Sequence, residues 1–211
     1  MAQRTIRCAA AAIVLCGCGA VAAQTPKEMS FFVTSVGLGK GGDLGGLEGA
    51  DRHCLALATA AGAGHRTWRA YLSTSSAAAV NARDRIGKGP WQNVRRAGIA
   101  QNLEHLHGVN GIDGDTARTE QDSLVESSRH DILTGSRESG RAYPPDRGDR
   151  TCNNWTSSGE GTATVGHHDR KGLDTDTDAK SWHTAHRSRG CSQSALAESG
   201  GAGLFYCFAA D

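Results

Sequence analysis

The cysteines of this chain bear more directly on its fold than its apolar residues do. Seven cysteines occur in 211 residues, and three of them, Cys8, Cys16 and Cys18, lie in a candidate signal peptide. In an exported protein an even number of remaining cysteines indicates disulfides rather than free thiols. A four-cysteine zinc site is disfavoured because no two of the four have the Cys-x-x-Cys spacing. Four cysteines allow three pairings, and spacing alone leaves all three open. The four are Cys54, Cys152, Cys191 and Cys207.

The first 23 residues predict export. Arg4 and Arg7 precede an apolar run at residues 8–15, and small residues follow at 20–23, which is the pattern of a secretory signal peptide. The apolar run is much shorter than the roughly 20 residues that span a bilayer, so a transmembrane anchor is not expected.

A lipid anchor is an alternative to simple cleavage. Residues 15–18 (LCGC) resemble the lipobox of bacterial lipoproteins, in which Cys18 would be acylated. We therefore expect a secreted, periplasmic or lipid-anchored protein. Its predicted parts are a signal peptide at 1–23, a linker at 24–30 and one domain at 31–211 that contains a long, polar, loop-rich segment at 76–150.

Composition indicates a thin core and gives no case for binding nucleic acid or a membrane surface. The chain has 28 glycines, only 5% aromatic residues and a mean hydropathy of −0.44. Without Arg4 and Arg7 the charge is 21 − 22 = −1, which gives no electrostatic case for nucleic acid or for a membrane surface. The disulfides are therefore expected to supply much of the stability.

Periodicity predicts an α+β domain. Residues 31–36 are β-branched or aromatic and indicate a strand, and residues 67–73 alternate so that Trp68, Ala70 and Leu72 share one face. Between them a helix is predicted from apolar residues three and four apart. These are Leu47, Ala50, Cys54, Leu57 and Ala61.

The second half of the chain indicates three further strands. Residues 151–156 and 162–166 are candidate strands on either side of a glycine turn. Residues 204–209 are continuously apolar, which is typical of a buried central strand.

Several sequence runs resemble the C-type lectin-like fold, in particular its endostatin-like branch. They are residues 68–73 (WRAYLS), 132–136 (ILTGS), 152–158 (CNNWTSS) and 203–207 (GLFYC), and they extend over most of residues 31–209. The resemblance implies a small twisted antiparallel sheet, one main helix and long irregular loops. It also implies nested disulfides, Cys54 with Cys207 and Cys152 with Cys191.

A calcium-dependent sugar site is not expected. Lectins of this fold hold Ca²⁺ through oxygen ligands around a Trp-Asn-Asp run, whereas this chain has Trp182, His183 and Thr184 at the matching place. Asp174, Asp176 and Asp178 offer oxygens nearby, but an alternating acidic loop is more often simply solvated.

Histidines suggest a transition-metal site. His167, His168, His183 and His186 lie in the segment that a Cys152–Cys191 bridge would close, and neutral imidazole is a good zinc or copper ligand. The alternative is that these side chains hydrogen-bond the backbone of glycine-rich loops.

No sequence motif indicates catalysis. The chain has neither Gly-x-Ser-x-Gly nor His-Glu-x-x-His, and the glycine-rich residues 37–42 lack the Lys-Ser or Lys-Thr of a phosphate-binding loop. The resemblance instead implies a non-enzymatic protein that recognises a glycan or an extracellular protein surface. A metal-dependent exported enzyme using the histidines, and a structural envelope protein, are the alternatives.

Two kinds of residue are candidate ligand contacts. Arginines at 95–96, 187 and 189 could bind sulfate or carboxylate groups, as endostatin binds heparin through arginines. Aromatic and polar side chains around the inner bridge could form the wall of a sugar-binding groove, although core packing of the tryptophans is an equal alternative. The predicted wall consists of Trp155, His167, His168, Asp169, Trp182 and His183.

Overall fold

The computed structural model describes residue 1 and residues 28–75, 78–172 and 178–211. The predicted signal peptide beyond residue 1, Cys18, and residues 24–27 of the predicted linker lie outside these ranges. Asp174 and Asp176 also lie outside them.

Sixteen short elements occur in the described residues, and the class is α+β as predicted. The strands are β1 (Phe31–Val33), β2 (Trp68–Ala70), β3 (Trp91–Gln92), β4 (Gly98–Ala100), β5 (Asp131–Leu133), β6 (Thr164–His167), β7 (His186–Arg187) and β8 (Gly201–Ala209). The helices are α1 (Gly46–Ala60), α2 (Leu103–His107), α3 (Cys152–Trp155) and α4 (Gln193–Glu198). Four 3₁₀ turns complete the set, at Ala82–Asp84, Ser127–Arg129, Pro145–Arg147 and Asp178–Lys180.

Strand β8 is the centre of the main sheet, as its apolar sequence predicted. The sheet has the order β1-β8-β5-β6-β7, and β2 also pairs with β8. Residues Phe31 and Trp68 lie opposite Phe208 and Ala209, respectively, in antiparallel register. The prediction of a purely antiparallel sheet is wrong, because β5 runs parallel to β8. Parallel strands need a long crossover connection, and residues 134–200 provide it between β5 and β8.

Two apolar cores cover the two faces of the sheet. One packs α1 and Trp155 against the face that carries Leu133, Val165 and Phe205. The predicted common face of Trp68, Ala70 and Leu72 belongs to this core. The other core is built on Tyr206 and Phe208 and contains the buried side chains of Trp91, Ile99, Leu106 and Trp182.

Helix α1 places the first cysteine in the core. Ala50 and Cys54 are fully buried, while Leu47 and Leu57 pack against the same core from its edge. This agrees with the predicted face, because side chains three and four residues apart share one side of a helix. Asp51 on α1 accepts a hydrogen bond from the amide of Ala70, and its two carboxylate oxygens lie 2.8 and 2.7 Å from Nη2 of Arg85.

The two disulfides are nested as the resemblance implied. Cys54 bonds to Cys207 and so joins α1 to β8. Cys152 bonds to Cys191 and closes a segment with a sequence separation of 39. Gly42 packs against the inner bridge so closely that a Cβ atom there would lie 2.6 Å from the sulfur of Cys152.

The strand predicted at residues 151–156 is wrong. Cys152, Asn153, Asn154 and Trp155 instead form a left-handed turn, with φ values of 47°, 54°, 57° and 67°. The Thr151 hydroxyl caps this turn by accepting a hydrogen bond from the amide of Asn154. Left-handed conformations are unfavourable for most L-residues and least so for glycine and asparagine, so the two central asparagines suit it.

The long segment at residues 76–150 is not devoid of structure. It contains α2 and the β3–β4 pair, and its end supplies β5 to the main sheet. Polar side chains hold many of its turns, as when the Asn93 side chain accepts hydrogen bonds from the amides of Arg95 and Ala97. Such local contacts leave no hydrophobic periodicity, so these elements could not be predicted from the sequence pattern.

Candidate functional site

Strand pairing brings an aspartate and two histidines onto one face of the sheet. Asp131 begins β5 and lies directly opposite His167, the last residue of β6. His186 begins β7 and lies opposite Val165, two residues before His167. Because alternate residues of a strand share a face, Asp131, His167 and His186 point to the same side. His130, immediately before β5, completes the group, which we call the histidine–aspartate cluster.

The cluster converges on one oxygen atom. The Nε2 atoms of His167, His186 and His130 lie 3.2, 3.3 and 3.4 Å, respectively, from Oδ1 of Asp131. The side chain of Asp131 is 1% exposed and that of His167 is 4% exposed, whereas His130 and His186 are 23% and 39% exposed. The cluster is therefore buried at its aspartate and reaches solvent through two of its histidines.

The other nitrogen of each ring is held by a separate acceptor. Nδ1 of His167 lies 2.7 Å from the carbonyl oxygen of Ala179, and Nδ1 of His186 lies 3.0 Å from that of Arg187. Nδ1 of His130 lies 3.4 Å from a carboxylate oxygen of Asp169. The rings of His130 and His167 also stack, with centroids 4.2 Å apart and planes at 8°.

The electrostatics of the cluster favour a charged aspartate. Burial alone raises the pKa of the Asp131 carboxyl, but the imidazoles of His167 and His186 outweigh it and the net shift is downward. The same carboxylate raises the pKa of His186. Asp131 is therefore held as an anion beside these imidazoles.

His183, a predicted metal ligand, lies in a different place. Its Nε2 atom lies 3.0 Å from the carbonyl oxygen of Glu138, and its ring packs on Trp182 with centroids 4.3 Å apart. Tyr71 and His107 border the same aromatic group, and the Tyr71 hydroxyl lies 2.8 Å from Nε2 of His107. Burial lowers the pKa of His183 to about 3, so this ring is a neutral hydrogen-bonding group.

His168 and Asp169 follow β6 and flank the cluster. His168 is buried, and neither ring nitrogen has a hydrogen-bond partner among the described residues. Burial lowers its pKa to about 4. Asp169 contacts the cluster through His130. Of the four predicted metal ligands, the structure thus brings His167 and His186 together and leaves His168 and His183 outside.

Both tryptophans of the predicted ligand wall pack in the core. Trp155 is fully buried in the first core, and Trp182 is 2% exposed in the second. Trp155 therefore offers no face on which a sugar ring could stack. Trp182 and His183 do line a small surface cleft, whereas His167 and His168 are buried.

Two adjoining clefts form a groove on the surface, and they share Glu138 and Thr184. One has a volume of about 260 Å³ and the other of about 250 Å³. The Tyr143 hydroxyl lies 3.1 Å from that of Thr184, and the guanidinium of Arg150 sits 4.1 Å above the Tyr143 ring. The groove is lined on one side by His107, Arg170, Lys180, Ser181, Trp182 and His183, and on the other by Tyr143, Arg150, His186 and Arg187.

His130 and Asp131 were missed by the sequence interpretation. Asp131 and Leu133 alternate as a strand would, but nothing local indicates that β5 pairs with β6. The run His167–His168–Asp169 pointed to the right end of β6 without identifying its partner.

Comparisons with known proteins assign no family to this chain. No protein-family model matches its sequence. No curated protein matches it either. Among the residues described by the structure, none of the helices has the length and apolar character needed to cross a membrane. The two disulfides indicate an oxidising, extracellular environment.

Proposed function

We propose that the protein is an exported, non-enzymatic recognition domain of C-type lectin-like, endostatin-like fold that binds an acidic glycan in the groove. The fold assignment is supported by the nested bridges and by the single long helix tied to the central strand. Secretion or periplasmic export agrees with the oxidised cysteines.

The observation that carries the proposal is the charge of the groove. Four cations line it, Arg150, Arg170, Lys180 and Arg187, and Glu138 is its one lining carboxylate, which gives 4 − 1 = +3. This concentration is notable in a chain whose overall formal charge is +1. Guanidinium groups bind carboxylate and sulfate in a bidentate manner.

The shape of the groove suits a polymer better than a small molecule. Each cleft is smaller than the roughly 300–1,000 Å³ of a pocket that encloses a drug-sized ligand. A shallow, extended groove can contact several sugar units in turn. The hydroxyls of Tyr143, Ser181 and Thr184 are suited to hydrogen bonds with sugar hydroxyls.

The test is a glycan array followed by titration calorimetry with an acidic and a neutral polysaccharide. We expect heparin or a polyuronate to bind and dextran not to bind. Arg150→Ala and Arg187→Ala should each weaken acidic-glycan binding by roughly tenfold, because each removes a charged hydrogen-bond donor. Arg52→Ala is the control, since Arg52 is exposed on α1 outside the groove.

The outcomes are distinguishable. Binding that weakens with salt and with the groove variants, but not with Arg52→Ala, supports the proposal. If the protein binds no glycan on the array but binds an envelope protein, the ligand is a protein and the glycan proposal is refuted. Equal binding by the groove variants and the parent chain would refute the groove as the site.

A further inference from the structure

Asp131 is a buried carboxylate without a hydrogen-bonding partner. Neither of its oxygens has a hydrogen-bond partner among the described residues, and the same is true of Nε2 of His167. Three imidazole nitrogens nevertheless lie within 3.4 Å of Oδ1. A buried charge left in this state is costly unless a cation or a donor compensates it.

The ring tautomers determine whether the histidines can donate hydrogen bonds to Asp131. A nitrogen that faces a carbonyl oxygen at 2.7 Å must carry a hydrogen, so His167 is protonated on Nδ1. Its Nε2 atom then presents a lone pair to the lone pairs of Asp131 when the ring is neutral. The contact of Nδ1 of His186 with the carbonyl oxygen of Arg187 has the same consequence. With both rings neutral, two lone pairs face one carboxylate oxygen, and a cation bound between them, or a proton on either ring, would supply the positive charge that this arrangement lacks.

The arrangement of outer contacts is the one that metal-bound histidines adopt. A ligating imidazole usually donates its second N–H to a carbonyl or a carboxylate, which fixes the ring and exposes the other nitrogen to the metal. Ala179, Arg187 and Asp169 provide such acceptors for His167, His186 and His130.

The spacing of the atoms fits a tetrahedral ion. Bonds of about 2.1 Å from a zinc ion to nitrogen or oxygen place neighbouring ligands about 3.4 Å apart. The distances from Asp131 to the three histidines are 3.2–3.4 Å. The ligand atoms of His130, Asp131 and His167 all lie within 4.8 Å of one another, so a shift of about 1.4 Å brings them to that spacing.

We propose that the histidine–aspartate cluster is a binding site for a transition-metal dication of the zinc class, with His130, Asp131 and His167 as ligands and His186 as the fourth. Imidazole nitrogens with one carboxylate suit zinc, copper and nickel. Calcium prefers six to eight oxygens, which the cluster does not have. The partly exposed rings of His130 and His186 provide the path by which an ion enters.

The experiment uses the full chain, stripped with a chelator and then titrated with zinc chloride at micromolar concentration. We expect one zinc per chain by elemental analysis after desalting, and with cobalt the visible absorption of a tetrahedral complex. Asp131→Asn and His167→Gln should abolish retention of zinc. Asp169→Asn, which removes the charge of the carboxylate that faces Nδ1 of His130, should weaken zinc retention by about 10–100-fold.

Two further variants distinguish loss of zinc binding from misfolding. His186→Gln and His130→Gln change partly exposed rings, so their circular dichroism spectra should match the parent while zinc is lost. His65→Gln is the matched control, because His65 is exposed and far from the cluster in sequence. The proposal is overturned if the stripped parent retains no zinc, cobalt, nickel or copper, or if His186→Gln, His130→Gln and His65→Gln all bind like the parent. Unchanged zinc binding by Arg150→Ala, with acidic-glycan binding weakened, would separate this site from the groove.

Discussion

The indole nitrogen of Trp155 lies 2.8 Å from the carbonyl oxygen of Ser73, to which it donates a hydrogen bond across 82 residues of sequence. Ser73 also makes three further hydrogen-bonding contacts. Its amide donates to the carbonyl of Thr134, and its hydroxyl contacts the hydroxyl of Ser136 and the amide of Ala82. This one buried residue therefore connects the left-handed turn, the end of β2 and the segment after β5.

Substitution of Trp155 should reveal its packing role. Trp155→Ala is expected to lower the free energy of unfolding by about 3–5 kcal/mol, the usual cost of truncating a buried large aromatic side chain. Trp155→Phe should cost less but still about 1–3 kcal/mol, because the carbonyl of Ser73 loses its indole donor. Guanidinium titration followed by circular dichroism measures both. Leu55→Ala, at a half-exposed position on α1, is the control and should change stability little; a Trp155→Ala cost below about 1 kcal/mol would contradict the packing role.

The outer bridge should contribute more stability than the inner one. On the chain-entropy model, sequence separations of 153 and 39 correspond to about 5 and 4 kcal/mol, and nesting makes their sum an overestimate. We expect Cys54→Ala/Cys207→Ala to lower the melting temperature more than Cys152→Ala/Cys191→Ala. Scanning calorimetry with and without reductant measures this. A parent protein equally stable in both conditions would show that the bridges do not stabilise the fold.

The left-handed turn predicts an unusual preference for glycine. Asn153 is exposed and has a φ of 54°, so Asn153→Gly should be tolerated within about 0.5 kcal/mol and Asn153→Ala should cost about 1 kcal/mol more. Urea titrations of the two variants give the difference. Equal stability of the Ala and Gly variants would mean that this residue is not left-handed in solution.

His183 should make the protein less stable in mild acid. Its pKa is about 3 in the folded state and about 6.5 in the unfolded state. As pH falls below 6.5 the unfolded chain takes up a proton that the folded one does not, so the free energy of unfolding decreases. Between pH 7 and pH 5 the expected loss is about 2 kcal/mol from this group.

The measurement for His183 is a pair of denaturant titrations at each pH. His107 and Arg170 add to the shift by repulsion, but burial is its main cause. His183→Gln keeps a donor for the carbonyl of Glu138 and removes the titration, so its stability should depend less steeply on pH between 7 and 5. Identical slopes for the variant and the parent would exclude this group as the source.

Local signals in the sequence were sufficient for the elements that carry apolar patterns. The helix that bears Cys54 and the central strand that bears Cys207 both follow from runs of buried side chains. The pairing of the cysteines came from a resemblance to a known fold, because spacing left three connectivities open. Hydrophobic periodicity in a sequence indicates which side chains are buried, and it could predict these two segments because their side chains are buried.

The candidate metal site could be predicted only in part, because its residues meet through strand pairing. His167 and His186 were selected as histidines near a bridge, whereas Asp131 joins them only because β5 inserts between β8 and β6. The left-handed turn was mistaken for a strand since its bulky residues have strand propensities. Tertiary contacts to Ser73 and Cys191 override those propensities.

The position of β8 in the main sheet determines when the strands of that sheet can pair during synthesis. Each of its neighbours, β1, β2 and β5, precedes it in sequence, and Phe31 pairs with Phe208 at a sequence separation of 177 (208 − 31 = 177). During synthesis these three strands have no common partner until residues 201–209 emerge. The pairs of β1, β2 and β5 with β8 therefore form only after the last strand of the chain has been made.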